Sequence, residues 1–159
     1  MRVEQLMTKQ VSTCGPDDTL ERAAQLMWDH DCGCIPVCAG EGRRKTVGII
    51  TDRDICMSAL FQGKALRDLH VADAMAKTVR TCRPESSLVE AEQTMREARI
   101  RRLPVLDKNG DLVGMITLAD LAREADREQT SPRQEVTGDE VGATLASICK
   151  PAISEQLVA

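Results

Sequence analysis

"VSTCGPDDTLERAAQLM", residues 11–27, returns as "VRTCRPESSLVEAEQTM" at residues 79–95, 68 positions further on. Val11 falls on Val79, Cys14 on Cys82, Pro16 on Pro84, Leu20 on Leu88 and Met27 on Met95. Self-similarity at a fixed offset marks a duplicated structural unit. Working outward, the same offset carries Val3 onto Val71, Met7 onto Met75 and "IPV" (35–37) onto "LPV" (103–105). Two residues then drop out of a turn, so "GIITDRD" (48–54) meets "GMITLAD" (114–120) at an offset of 66.

Each copy carries the same local signals. A short extended piece runs to Pro16 or Pro84. A helix follows, because Leu20, Ala23, Ala24 and Met27, and in copy two Leu88, Ala91 and Met95, fall on one helical face. Asp18 with Glu21 and Ser87 with Glu90 have capping-box form, out of register by one residue. Next come an apolar strand ("CIPVC", "RLPVL"), a turn ("GEGRRK", "DKNGD") and a second strand ("TVGII", "LVGMI") that enters a second helix. The order β-α-β-β-α, twice, predicts an α/β (α+β) fold of two pseudo-twofold-related repeats, 1–62 and 63–124, packed as one module. A tail follows at 125–159: a polar linker at 123–135, then a short helix started by Thr137 with Glu140, carrying Val141, Leu145 and Ile148 on one face, and docking on the body or a partner.

Composition narrows the function classes. At 159 residues, 42% hydrophobic and 29% charged, the chain reads as a globular protein. No apolar stretch is long enough to span a bilayer and no signal peptide is evident, so no membrane partner and a cytoplasmic location are expected. A net charge of −4, with only Trp28 and Phe61 as aromatics, argues against nucleic-acid binding. Seven cysteines, an odd number, read as reduced thiols.

The strand-to-helix junctions at Thr51–Asp54 and Thr117–Asp120 admit two readings. Thr with Asp three residues on is a helix cap. Equally, a helix N-terminus attracts phosphate, a threonine hydroxyl can donate to it, and an aspartate can accept from both hydroxyls of a ribose. Arg53 adds a phosphate-suited charge in copy one; copy two has Ala119 there, but Arg101 and Arg102 precede its "LPV". Gly48 and Gly114 would let a ligand or a neighbouring strand approach closely.

The paired "PV … GhhTxxD" pattern (h, apolar) in a repeated β-α-β-β-α unit resembles the tandem CBS (cystathionine-β-synthase-type) domain pair, the Bateman module, over residues 1 to about 124. The resemblance implies a stand-alone regulatory module, not an enzyme, that senses an adenine nucleotide (AMP, ADP or ATP, with S-adenosylmethionine or NAD as further candidates), requires no cofactor, pairs as a homodimer and signals to a protein target in trans. Carried onto this sequence, it places Thr51 and Thr117 on phosphate and Asp54 and Asp120 on ribose. It places Ile35, Pro36, Leu103 and Pro104, with Thr13 and Thr81, around the adenine. Arg53 and Arg102 become phosphate-facing.

Alternatives are a dimeric adaptor that binds no ligand, or a thiol- or zinc-responsive switch using Cys32, Cys34 and Cys38. Their Cys-x-Cys and Cys-x3-Cys spacing does not match the common Cys-x2-Cys zinc knuckle. His30 and His70 sit in no nucleophile motif, and neither a P-loop nor a dinucleotide glycine fingerprint occurs. The methionines fall mainly at repeat-equivalent or helix-face positions, as core packing requires.

Overall fold

The computed structural model describes residues 1–150 except Glu41, Arg43 and Arg133. Its elements run α1 (Val3–Leu6), α2 (Leu20–Asp29), β1 (Cys34–Ala39), β2 (Lys45–Thr51), α3 (Asp52–Gln62), α4 (Val71–Ala74), α5 (Leu88–Ala98), β3 (Arg102–Leu106), β4 (Leu112–Thr117), α6 (Leu118–Arg127) and α7 (Gly138–Ile148). Each repeat holds one antiparallel hairpin, β1 with β2 and β3 with β4, in matching register: Pro36 faces Ile49, and Pro104 faces Met115. The expected first strand of each copy is only a single parallel bridge, Cys14 to Val37 and Cys82 to Val105. The prolines that follow, Pro16 and Pro84, have no N–H to extend such a ladder.

The two copies exchange their leading segments. Residues 1–8 belong in space to copy two: the Val3 amide donates to the Ser86 carbonyl, and Thr8 pairs with Met115 of β4 through two 2.9 Å bonds. Residues 69–76 belong to copy one in the same way, with Val71 donating to Asp18 and Ala76 pairing with Ile49. The two cores record the exchange, one holding Val3 with Leu88, Met95, Leu103 and Ile116, the other holding Val71 with Leu20, Ile35, Val37 and Ile50. Gly48 and Gly114 permit it. A Cβ on Gly114 would lie 2.6 Å from Met7 Sδ and 3.0 Å from the Thr8 carbonyl, and one on Gly48 would meet Met75 and Ala76 as closely. The close approach expected at these glycines is therefore made by a neighbouring backbone segment.

Two expectations are corrected here. The cap of α2 is Thr19, whose hydroxyl accepts from the Arg22 amide; Asp18 is turned back to accept from the Gly15 amide at 2.7 Å, closing the preceding turn. This brings the two caps into register, since Thr19 plus 68 is Ser87. The linker expected from 123 begins later, because α6 continues to Arg127 and buries Glu124 and Ala125. The short helices α1 and α4 had no periodic signal at four residues each. The C-terminal helix forms where expected, capped by Thr137, and packs on α5 and α6; residues 151–159 of the tail lie outside the described residues.

Candidate functional site

Two threonines start α3 and α6 with the same reciprocal geometry. The Thr117 hydroxyl donates to Asp120 Oδ2 at 2.7 Å and accepts from the Asp120 amide, while the Thr117 amide donates to the same Oδ2 at 2.8 Å. Thr51 and Asp54 repeat this at 2.7 and 2.9 Å. The capping reading is therefore satisfied in both copies, and each Asp keeps Oδ1 outside the cap.

What surrounds the two caps differs. A cleft of about 820 Å³ opens between the repeats at Thr117 and Asp120. Copy one contributes the loop His30–Cys34 and Pro36; Gln10 and Ser12 lead in from the N-terminal segment; Arg102 and Arg123 stand on the copy-two side, with Arg101 beside them. The loop enters the cleft because α2 ends on Asp31 in the left-handed conformation (φ 47°), with Cys32 donating back to the Met27 carbonyl; Arg99 (φ 53°) ends α5 in the same way. Asp120 is 5% exposed, and its Oδ1 accepts from Arg123 Nη2, whose side chain is 71% exposed.

At the copy-one cap, Asp52 turns its own carboxylate onto the helix terminus, accepting from the Arg53 amide at 2.7 Å. The equivalent residue in copy two is Leu118. An anion approaching Thr51 thus meets the fixed charge of Asp52 as well as the exposed Arg53, whereas one approaching Thr117 meets Arg101, Arg102 and Arg123 with no acidic residue at the Leu118 position.

Of the expected site residues, Thr117, Asp120, Arg102 and Pro36 come together in the cleft. Ile35 and Leu103 do not: at 1% and 0% exposure they point into the two cores, because alternate residues of a strand face opposite sides. Their neighbours Cys34 and Arg102 take the cleft-facing positions. Pro104 is buried on β3, Thr81 is exposed, and Thr13 lines a separate small pocket with Lys9 and Arg44. Thr51 and Asp54 are half-buried and Arg53 is exposed; none of the three lines the cleft. Arg123 and the loop at Asp31 were missed: Arg123 lies three residues beyond Asp120 on α6, a helical spacing already legible in the sequence, whereas only the tertiary fold brings the loop at Asp31 to the cleft.

Among the cysteines, Cys34 and Cys38 are buried on β1, and burial pushes both thiols up from their usual range, with Arg102 partly offsetting this at Cys34. Cys32 is exposed at the cleft. Among the described residues, no three His, Cys, Asp or Glu side chains are grouped to hold a metal ion. No helix of the described residues is long and apolar enough to cross a membrane.

The family model for the CBS domain matches residues 3–60 and 71–127. The chain belongs to the CBS-domain family. It is 41% identical over 120 residues to CBS domain-containing protein YhcV of Bacillus subtilis, covering 76% of this chain and 82% of that protein. The crystal structure of Hypoxic Response Protein I with two coordinated zinc ions superposes with a TM-score of 0.70 at 31% identity, covering 77% of this chain and 98% of that one. The CBS domain pair of protein MJ0100, in complex with 5′-methylthioadenosine and S-adenosyl-L-methionine, superposes with a TM-score of 0.68 at 26% identity, covering 77% and 94%. In MJ0100 the CBS-pair fold thus holds adenosine-containing ligands, and the family to which this chain belongs is a regulatory one rather than an enzyme class.

Proposed function

We propose that this protein is a regulatory module whose cleft at Thr117 and Asp120 binds an adenine nucleotide. The observation that carries this is the cleft itself, large enough for a nucleotide, with a capped helix terminus on one wall and Pro36 and the His30–Cys34 loop on another. In this reading the ribose hydroxyls donate to Asp120 Oδ1. They displace Arg123, whose exposed guanidinium then turns to the phosphate with Arg101 and Arg102. Three arginines against Asp31 and Asp120 favour AMP, ADP or ATP over the cationic S-adenosylmethionine, and Asp52 makes the copy-one terminus the weaker site.

Occupancy would stabilise one arrangement of the two repeats over another, and a protein target would read the difference. We further propose that two copies pair through α2 and α3. Trp28, Leu60 and Phe61 are 84, 69 and 78% exposed there, around a groove of about 700 Å³ floored by Ala24, Cys56 and Ala59. A twofold interface needs knobs and holes on the same patch, and this face carries both.

Thermal unfolding and calorimetric titration against AMP, ADP, ATP, S-adenosylmethionine and NAD test the site. A ligand at ~100 times its dissociation constant adds ~2.7 kcal/mol, about 5–10 °C for a chain of this size. Asp120→Asn is expected to weaken binding about tenfold or more, while Asp54→Asn changes it little. Equal loss in both variants would overturn the choice of cleft, and no shift with any compound would overturn the nucleotide reading.

A further inference from the structure

The family match ends at Arg127, yet the cleft does not end with it. Val141 and Leu145 of α7 line the same cleft as Thr117, Asp120 and Arg123. Leu145 is an apolar side chain left 44% exposed there.

Helix α7 is held by a polar clasp specific to copy two. Thr144, fully buried, donates its hydroxyl to Glu92 Oε1 of α5 and accepts from Arg96 Nε; Arg96 Nη2 also reaches Glu92 Oε1 at 3.0 Å and the Glu140 carbonyl at 3.1 Å. Glu92 is 6% exposed, and these bonds satisfy its buried carboxylate. The repeat-equivalent positions in copy one are Ala24 and Trp28, which offer no carboxylate acceptor and no guanidinium, only the single indole N–H of Trp28. The clasp therefore directs α7 to the copy beside the Thr117–Asp120 cleft.

We propose that α7 is a third wall of the nucleotide cleft, contributed from outside the two repeats, and that its docking and ligand occupancy are linked. Leu145 contacts the bound ligand directly, and the Glu92–Arg96–Thr144 clasp positions it. By linkage, a ligand that gains affinity from docked α7 holds α7 in place by the same factor, so the C-terminal segment reports occupancy. The inference rests on the nucleotide reading above.

The test titrates ATP, with AMP and S-adenosylmethionine alongside, into the full chain and into Leu145→Ser and Leu145→Met, and follows amide hydrogen exchange across 138–148. Leu145 is exposed enough for serine to leave the fold intact; Leu145→Met keeps the apolar contact. Covering half a leucine side chain corresponds to about fivefold in affinity. Leu145→Ser is expected to bind about fivefold more weakly and Leu145→Met nearly as well as the parent, with α7 amides exchanging about fivefold more slowly in saturating ligand. Binding that is unchanged in Leu145→Ser, together with α7 exchange that ignores ligand, overturns the third wall and leaves the nucleotide site standing. Absence of binding by the parent chain to all three compounds overturns both.

Discussion

Replacing Gly114 by alanine probes the contact on which the exchange of leading segments depends. The added Cβ would lie 2.6 Å from Met7 Sδ, 3.1 Å from Met7 Cγ and 3.0 Å from the Thr8 carbonyl. The Met7 side chain can rotate away. The Thr8 carbonyl cannot do so freely, because it accepts from the Met115 amide at 2.9 Å while the Thr8 amide donates back to Met115. Relief therefore requires the N-terminal segment to move off β4. Overpacking of this kind costs about 1–3 kcal/mol, and ~2 kcal/mol corresponds to about 4–8 °C in a chain of this length. Thr8 also lines the cleft, so ligand affinity falls with stability. Gly48→Ala, which meets Met75 and Ala76 equivalently, is the matched variant in copy one and is expected to cost a similar amount. Gly142→Ala is the control: it lies within α7 with nothing inside 4 Å and is expected to gain about 0.5–1 kcal/mol. Differential scanning calorimetry of the three variants decides. Gly114→Ala and Gly48→Ala melting with the parent would refute the exchange of leading segments.

Two further outcomes are expected. Trp28→Arg with Phe61→Glu, both at highly exposed positions, should convert a dimer to a folded monomer by sedimentation velocity; a parent that sediments as a monomer, or a double variant that still dimerises, contradicts pairing through α2 and α3. Stability should also fall at both ends of the pH range. The hydrogen bond from Arg127 holds the Glu124 carboxyl below its usual range, as those from Thr137 hold Glu140. Their stabilisation is present above the ordinary glutamate value near 4.5 and disappears as pH falls through the lower folded values. Burial pushes the Cys82 thiol up to about 11, so between about 9 and 11 the unfolded chain loses a proton that the folded chain keeps, and stability declines as pH rises. Urea midpoints that are flat from pH 6 to 3 would contradict the first, and midpoints flat from pH 8 to 11 the second.

The duplication made the fold legible because it doubled every local signal. The Thr–x2–Asp junctions, the apolar stripes of α2 and α5 and the hairpins around Pro36 and Pro104 were each read twice, at matched positions. The structure differs where the deciding physics is not local. The exchange of residues 1–8 and 69–76 leaves only two glycines as its trace, and Gly48 or Gly114 alone reads equally as room for a ligand. Asp18 looked like a cap because it precedes Glu21 at the right spacing. Choosing Thr19 over it requires the turn from Gly15, which claims the Asp18 carboxylate first. Ile35 and Leu103 sit in the motif that carries the site, but strand alternation sends them to the cores and their neighbours to the cleft.

Duplication also explains why two intact motifs need not be two equal sites. The backbone geometry of the caps is conserved between copies to within 0.1 Å in the bonds made to Asp54 and Asp120. Apart from α7, what distinguishes them lies in substitutions at equivalent positions. Asp52 against Leu118 places an internal anion at one helix terminus and none at the other. Ala24 and Trp28 against Glu92 and Arg96 make one helical face an apolar groove and the other a polar clasp already filled by α7. Met57 against Arg123 leaves Asp54 without a guanidinium three residues on along its helix and gives Asp120 an exposed one there. Under the proposed function these three exchanges favour copy one for contact between chains and copy two for the ligand, against the single opposing exchange of Arg53 for Ala119. In that proposal a symmetric scaffold acquires a receiving end and a pairing end, which coupling between a small molecule and an assembly requires.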